Sequence, residues 1–204
     1  MEDQSCSATQ YDAMAEAYAS DNLDSPFNAY YERPATQRLL GDVTAKRVLE
    51  VGCGAGPLTE GLVDHGAVVT ALDISPAMVS LAQARLGNRA RILVGDLAEP
   101  LAFAADGDFD LVVASLVLHY LGVWVTPLRE LRRVLIPDGA LVFSTHHPAM
   151  DAQIHSPDDY FATKQVTEVW TKGAGSYEVT FWRRPLTAMT ESIHEAGFLV
   201  ERLV

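Results

Sequence analysis

Glu50-Val51-Gly52-Cys53-Gly54-Ala55-Gly56-Pro57 places three glycines at alternate positions, followed by a proline, directly after a run of branched apolar residues. Glycine lets a backbone turn sharply and approach a ligand closely. Proline at a first helical position starts a helix whose free N–H groups and positive end face the same turn. Asp73 closes the next apolar run. A carboxylate there can accept hydrogen bonds from two ribose hydroxyls. Together the loop and the acid describe a site for a ligand that carries a ribose. The dinucleotide fingerprint is G-x-G-x-x-G, and here Pro57 stands where its last glycine would be. That spacing weakens a pyrophosphate reading and leaves it open. The plainer alternative is a glycine-rich turn with no ligand.

Proton chemistry points to histidine, whose ordinary pKa lies near neutrality. His119 sits in Leu118-His119-Tyr120, just past one apolar run, and His146 and His147 end another before Pro148. His119 and His146 are the candidate catalytic bases. Packing is the competing role for His119, and a turn before Pro148 is the competing role for the other two. His65, His155 and His194 lack such context and read as solvated. Further on, Trp170, Tyr177, Phe181, Trp182, Arg183 and Arg184 could line a pocket for a small anionic or aromatic molecule. A hairpin packing its aromatic side onto a sheet is the competing reading.

These residues are positioned by an alternation. Arg47–Gly52, Ala67–Asp73, Ala90–Asp96, Phe109–Ser115 and Gly139–His146 are apolar nearly throughout, as strands buried on both faces are. Between them run helical signals: Pro57–His65 ending at Gly66, Ser75-Pro76 to Gly87, and Thr126-Pro127 to the Pro137-Asp138-Gly139 turn. Pro185–Ala196 is closed by Gly197. The pattern predicts an α/β fold, a doubly wound, mostly parallel Rossmann-like sheet in a three-layer α/β/α sandwich. Residues 1–46 read as an N-terminal helical cap, with helix over Tyr11–Ala19 and Pro34–Leu40. Residues 148–184 read as a β-hairpin insertion, with strands over Gln165–Thr171 and Tyr177–Arg183, turns at His147-Pro148 and Ser156-Pro157, and a role as substrate cap. The whole of 1–204 reads as a single domain.

Composition excludes several classes. Fifteen Lys+Arg against 27 Asp+Glu give a net charge of −12, and 49% of residues are hydrophobic. That balance is globular. Without a basic run, a nucleic-acid partner is not expected. Leu111–Val125, the longest apolar stretch, is interrupted by Ser115 and His119 and falls short of the about 20 residues that span a bilayer. No membrane association is expected. The acidic start Met1-Glu-Asp-Gln-Ser-Cys6 is unlike a secretory leader. Cys6 and Cys53 form no metal or disulfide spacing, so a metal is not expected and a cytoplasmic location is.

At this point the sequence resembles the class I S-adenosylmethionine (SAM)-dependent methyltransferases, of the small-molecule, methyltransferase-domain 11/25-like kind. The resemblance rests on Val48–Thr59, Ala71–Ser75, Gly95–Leu97, Phe109–Leu121 and Leu131–Phe143, which look like the family's motifs in order. Many members have Pro-Gly-Gly where this chain has Pro137-Asp138-Gly139. The resemblance implies SAM as cofactor and S-adenosylhomocysteine as product. It implies that Gly52, Cys53, Gly54 and Gly56 form the loop under the cofactor, supported by Glu50. It implies that Asp73 holds the ribose, with Ile74 and Met78 near the adenine. Asp96 and the Leu97 N–H would read the adenine edge, Ala114 and Ser115 would lie near the methionine end, and Tyr11 and Tyr18 would close over the cofactor. Relatives finish with a sixth strand and an antiparallel seventh. Here Phe198–Val204 reads as the sixth, with no residues for a seventh: the chain is shortened, or strand six pairs directly with strand five as in a plain six-stranded Rossmann sheet, or a partner such as a homodimer mate completes the edge.

The expected function is SAM-dependent methyl transfer to a small-molecule acceptor, with O- or N-methylation favoured. Two alternatives remain open on sequence: an NAD(P)-dependent oxidoreductase on a Rossmann sheet, and a non-catalytic SAM-binding partner subunit.

Overall fold

The computed structural model describes residues 6–155 and 158–204. Expectations that fall on Met1–Ser5, on the side chain of Cys6 and on Ser156-Pro157 lie outside the described residues. Five apolar runs form one parallel sheet: β1 (Arg47–Val51), β2 (Val68–Asp73), β3 (Arg91–Val94), β4 (Phe109–Ala114) and β5 (Leu135–Phe143). Their order is β3-β2-β1-β4-β5. The chain therefore winds outward from β1 on one side, then returns to build the other side from β4. Such a reversal opens a crevice at the C-terminal strand ends. The loops after β1, β2, β3 and β4 all emerge there because the strands are parallel.

Burial explains the runs. Val48, Leu49 and Val51 in β1, and Val112, Val113 and Ala114 in β4, are fully enclosed. Two apolar layers flank the sheet, one centred on Leu49, Leu118, Leu128 and Leu131, the other on Val48, Leu58, Val69 and Ala82. They are covered by α3 (Pro57–Asp64), α4 (Pro76–Leu86) and α5 (Val125–Val134), with α7 (Leu186–Glu195) beside α5. The Pro137-Asp138-Gly139 turn is present, but as a bulge inside β5. Phe109 pairs with Leu135, whereas Leu111 pairs with Ala140.

The cap begins with α1 (Cys6–Asp24), longer than the sequence suggests, then a π-helical turn at Pro26–Glu32, then α2 (Arg33–Leu40). The hairpin is present as β6 (Lys164–Lys172) and β7 (Gly175–Arg183), preceded by a short helix, α6 (Pro148–His155), in a region read as turns. The hairpin is a separate two-stranded sheet and shares no ladder with the main one. Phe198–Val204 corrects the expectation of a sixth strand. The Phe198 N–H closes α7 on the Ile193 carbonyl, and Leu199, Leu203 and Val204 then run exposed without a ladder partner. Among the described residues, no helix is long and apolar enough to cross a membrane.

One capping residue ties two layers together. Ser75 Oγ accepts from the Met78 N–H at 3.1 Å, capping α4, and donates to Asp12 of α1. Asp12 also accepts from the Ala77 N–H. Ser75→Ala is therefore expected to destabilise the fold by about 1–2 kcal/mol in urea unfolding, the range for a lost helix cap.

Candidate cofactor and acceptor site

At the crevice, β1 ends in a loop whose backbone is bound to the end of β2. The N–H groups of Gly52 and Cys53 both donate to the Leu72 carbonyl, at 2.8 and 3.1 Å. Asp73 completes the joint. Its Oδ2 accepts from the Gly54 N–H at 2.8 Å and its Oδ1 from the Ser75 N–H at 2.9 Å. Burial pushes the Asp73 carboxyl up from its ordinary range, and these two N–H groups oppose that shift by favouring the charged form. A carboxylate has about four lone-pair positions, more than these bonds use, so capacity remains for a ligand.

Two cavities meet over this joint. The larger encloses about 780 Å³, part of it open to solvent, and is lined by Gly52, Gly54, Asp73, Ile74, Asp96, Leu97, Leu116, Val117, Tyr11, Tyr18 and Tyr120, among others. The smaller, about 550 Å³, is lined by Tyr18, Asn22, Asn28, Glu32, Arg33, Glu50, Cys53, Gly54 and Ser115, with Leu116. Tyr18, Gly54 and Leu116 belong to both, so the two are chambers of one site. The first is apolar with a carboxylate edge, and the second is charged.

Each sequence candidate has a definite place. Gly52, Gly54, Asp73, Ile74, Asp96, Leu97 and Tyr18 line the larger chamber. Glu50, Cys53 and Ser115 line the smaller. Gly56, Met78 and Ala114 line neither. A Cβ on Gly56 would meet Leu86 at 3.0 Å, and Met78 is buried against Ala15 and Ala55, so both set how the loop and cap pack. Ala114 is enclosed in β4. Glu50 is 2% exposed and accepts from Thr59 Oγ1 at 2.6 Å. Burial, opposed by that hydrogen bond, pushes its carboxyl up to about 8.

His119 and His146 lie together, but behind the chamber wall. Their rings stack at 4.0 Å, and His119 packs 4.3 Å from Tyr120, which does line the chamber. His119 is buried, and that burial, aided by His146 and Arg184, holds its pKa well below the usual value. His146 is held low mainly by burial, against the pull of Asp151 3.7 Å away. His155, read as solvated, instead lies 3.1 Å from Glu168. Arg183 and Arg184, read as lining a pocket, line neither chamber; both are buried. Arg183 donates to the carbonyls of Asp159, Tyr160 and Ala162.

The sequence reading missed Glu32, Arg33, Leu116, Val117 and Tyr120. Glu32 Oε1 gathers three hydroxyls, those of Thr36, Ser115 and Ser144, at 2.8, 2.8 and 2.6 Å. It pins the cap to the ends of β4 and β5. Leu116 holds a left-handed backbone at φ 49°, and its N–H donates to Ser144 Oγ. A strained residue of this kind is a pointer to a site, but nothing in local sequence announces it. Tyr120, adjacent to His119, hydrogen-bonds Tyr11 through their hydroxyls at 2.6 Å.

The residues fit an adenosine-bearing cofactor. The Asp73 carboxylate has unused capacity beside an apolar chamber, and nothing lies within 4 Å of where a Gly54 Cβ would stand.

Comparison with known proteins bears on the same region. Residues 49–143 match the model of a methyltransferase domain family. The malonyl-[acyl-carrier protein] O-methyltransferase of Halorhodospira halophila is 36% identical over 155 residues, 72% of this chain and 50% of that protein. The chain spans about half the length of the curated relatives it matches. The solved S-adenosylmethionine-dependent methyltransferase of Mesorhizobium loti aligns with TM-score 0.67 at 25% identity, covering 83% of this chain and 81% of that one. A DhpI complex with SAM and HEP has TM-score 0.67 at 22% identity, covering 93% of this chain and 86% of that one, which is a likeness of fold.

The glycines separate two roles. A Cβ on Gly52 would stand 2.6 Å from Val117 Cγ2, whereas one on Gly54 meets only open chamber. Gly52→Ala is expected to lower thermal stability sharply. Gly54→Ala should cost only the about 1–2 kcal/mol of a left-handed alanine, readable as a smaller shift in the same melting experiment.

Proposed function

We propose that the chain is a class I SAM-dependent methyltransferase, and that it transfers a methyl group from SAM to a small-molecule acceptor, at oxygen or nitrogen. The observation that carries the reading is the Asp73 joint. A buried carboxylate holds the glycine loop by one backbone N–H and keeps acceptor capacity toward an apolar chamber beside it.

When bound, the cofactor supplies a methyl on a positively charged sulfur, already activated for in-line displacement. The chain's own part is to bind, orient and exclude water. Asp73 would hold the ribose hydroxyls. Asp96 and the Leu97 N–H would meet the adenine edge, with Ile74 against its face. In the smaller chamber, which Glu32, Arg33 and Glu50 line, the two acids would hold an ammonium and Arg33 a carboxylate, the two charges of an amino-acid end. Tyr18 roofs both chambers. In this arrangement His119 and His146 reach the chamber only through Tyr120, so the acceptor is best served if it arrives able to attack without giving up a proton first.

Two measurements test this reading. Asp73→Asn keeps the side-chain shape, and calorimetry should show S-adenosylhomocysteine binding weakened about 10- to 100-fold, as expected for lost hydrogen bonds to a charged group. An unchanged affinity would refute the ribose assignment. Glu50 gives the second. With its pKa near 8, it is mostly protonated at pH 7 in the free protein. A ligand ammonium beside it favours the carboxylate, so binding should release up to about one proton. Titrations in buffers of different ionisation enthalpy read that release, and Glu50→Gln should abolish it.

A further inference from the structure

Among the described residues, four buried side-chain polar atoms have no hydrogen-bond partner: His119 Nδ1, Thr145 Oγ1, His155 Nε2 and Arg184 Nε. His155 Nε2 at least faces a carboxylate, that of Glu168. The other three belong to segments that converge on one seam, where the hairpin and the chain leaving it meet the Leu118–Tyr120 turn and the end of β5. His119 stacks on His146, the neighbour of Thr145, and packs edge-on to Phe181 of β7 at 5.9 Å. Arg184 acts on His119 electrostatically, lowering its affinity for a proton.

Arg184 is the unusual member. It is 3% exposed, its guanidinium lies 4.4 Å from the Trp124 ring centre, and its hydrogen bonds run from Nη2 to the Leu121 and Gly122 carbonyls. Burial alone pulls its pKa down to about 10, so at neutral pH it remains a cation with no acid set against it. Arg183, equally buried, spends its donors on three carbonyls, whereas the Arg184 Nε–H has no acceptor. A buried cation left without a counter-charge is costly, and proteins retain one where a ligand brings the missing anion.

We propose that this seam is the acceptor's recognition site, and that Arg184, Thr145 and His119 there bind a carboxylate carried by the acceptor. The proposal rests on the methyltransferase reading, since it supplies the acceptor half of the same reaction. Three buried donors there lack a partner: the Arg184 Nε–H, the Thr145 hydroxyl, and the His119 Nδ1–H in one of its two neutral tautomers. The site is one aromatic ring from the cofactor chamber, because Tyr120 touches His119 on one side and lines the chamber on the other. Entry requires the hairpin to lift, which it can do without breaking a ladder to the main sheet. A carboxylate is ionised at neutral pH, as an anion set against Arg184 must be.

The full chain, saturated with S-adenosylhomocysteine, is titrated calorimetrically with malonate and with benzoate at fixed ionic strength, and with malonamide and benzamide as uncharged controls. Saturable binding of at least one carboxylate, and of neither amide, is expected. Arg184→Met should weaken that binding about ten-fold or more, as expected for a lost hydrogen bond to a charged group. Thr145→Val should weaken it several-fold, with S-adenosylhomocysteine affinity unchanged in both variants. The proposal is overturned if neither carboxylate binds the wild type, or if Arg184→Met binds it equally well. Should Arg184→Met fail to fold, equal binding by Thr145→Val overturns it. Absence of S-adenosylhomocysteine binding to the wild type would instead strike the methyltransferase reading, and carboxylate titration of the free protein then judges the seam by itself.

Discussion

A carboxylate buried at a sheet edge must find donors, and Asp73 finds them in two backbone N–H groups that belong to different elements. One is in the glycine loop after β1 and the other starts α4. Ser75, once held, caps α4 and reaches Asp12 of the N-terminal helix. A single buried charge thus orders the loop, one flanking helix and the cap above them. The same carboxylate also lines the larger chamber, so the group that assembles the site stands at its wall.

Much of the core was legible because parallel strands buried on both faces must be apolar along their whole length. Val48–Val51 and Leu111–Ala114 carry that signature without help from context. The glycine loop and Asp73 were legible for a related reason. A turn that tight needs glycine, and the end of β2 is a fixed place relative to it. Proline starts were less reliable at the margin. Pro127 lies inside α5, which begins at Val125. Phe198–Val204 has strand composition, yet after Gly197 it pairs with no neighbour, and composition alone cannot supply a ladder.

The missed residues share a cause. Glu32 matters through Ser115 and Ser144, which are far from it in the chain, and Pro26–Glu32 has no periodicity that marks a helix of any kind. Arg183 and Arg184 read as lining a pocket, because arginine is ordinarily left within reach of solvent. Only the tertiary arrangement encloses them, and it treats the two differently: carbonyls surround Arg183, while Arg184 keeps a donor unmatched. The histidines were placed correctly in the chain, near the strand ends, but sequence could not show that Tyr120 stands between them and the chamber.

The Glu32 node has a consequence for the order in which the molecule forms. Its carboxylate joins a segment near the start of the chain to hydroxyls at the ends of β4 and β5, pairs separated by 83 and 112 positions. Contacts of such long separation close late during folding, after the sheet that carries them is in place. The smaller chamber, which Glu32 walls, therefore has no existence in a partly folded chain. Any ligand of that chamber binds only molecules whose sheet is complete, and its binding adds stability to the finished fold alone.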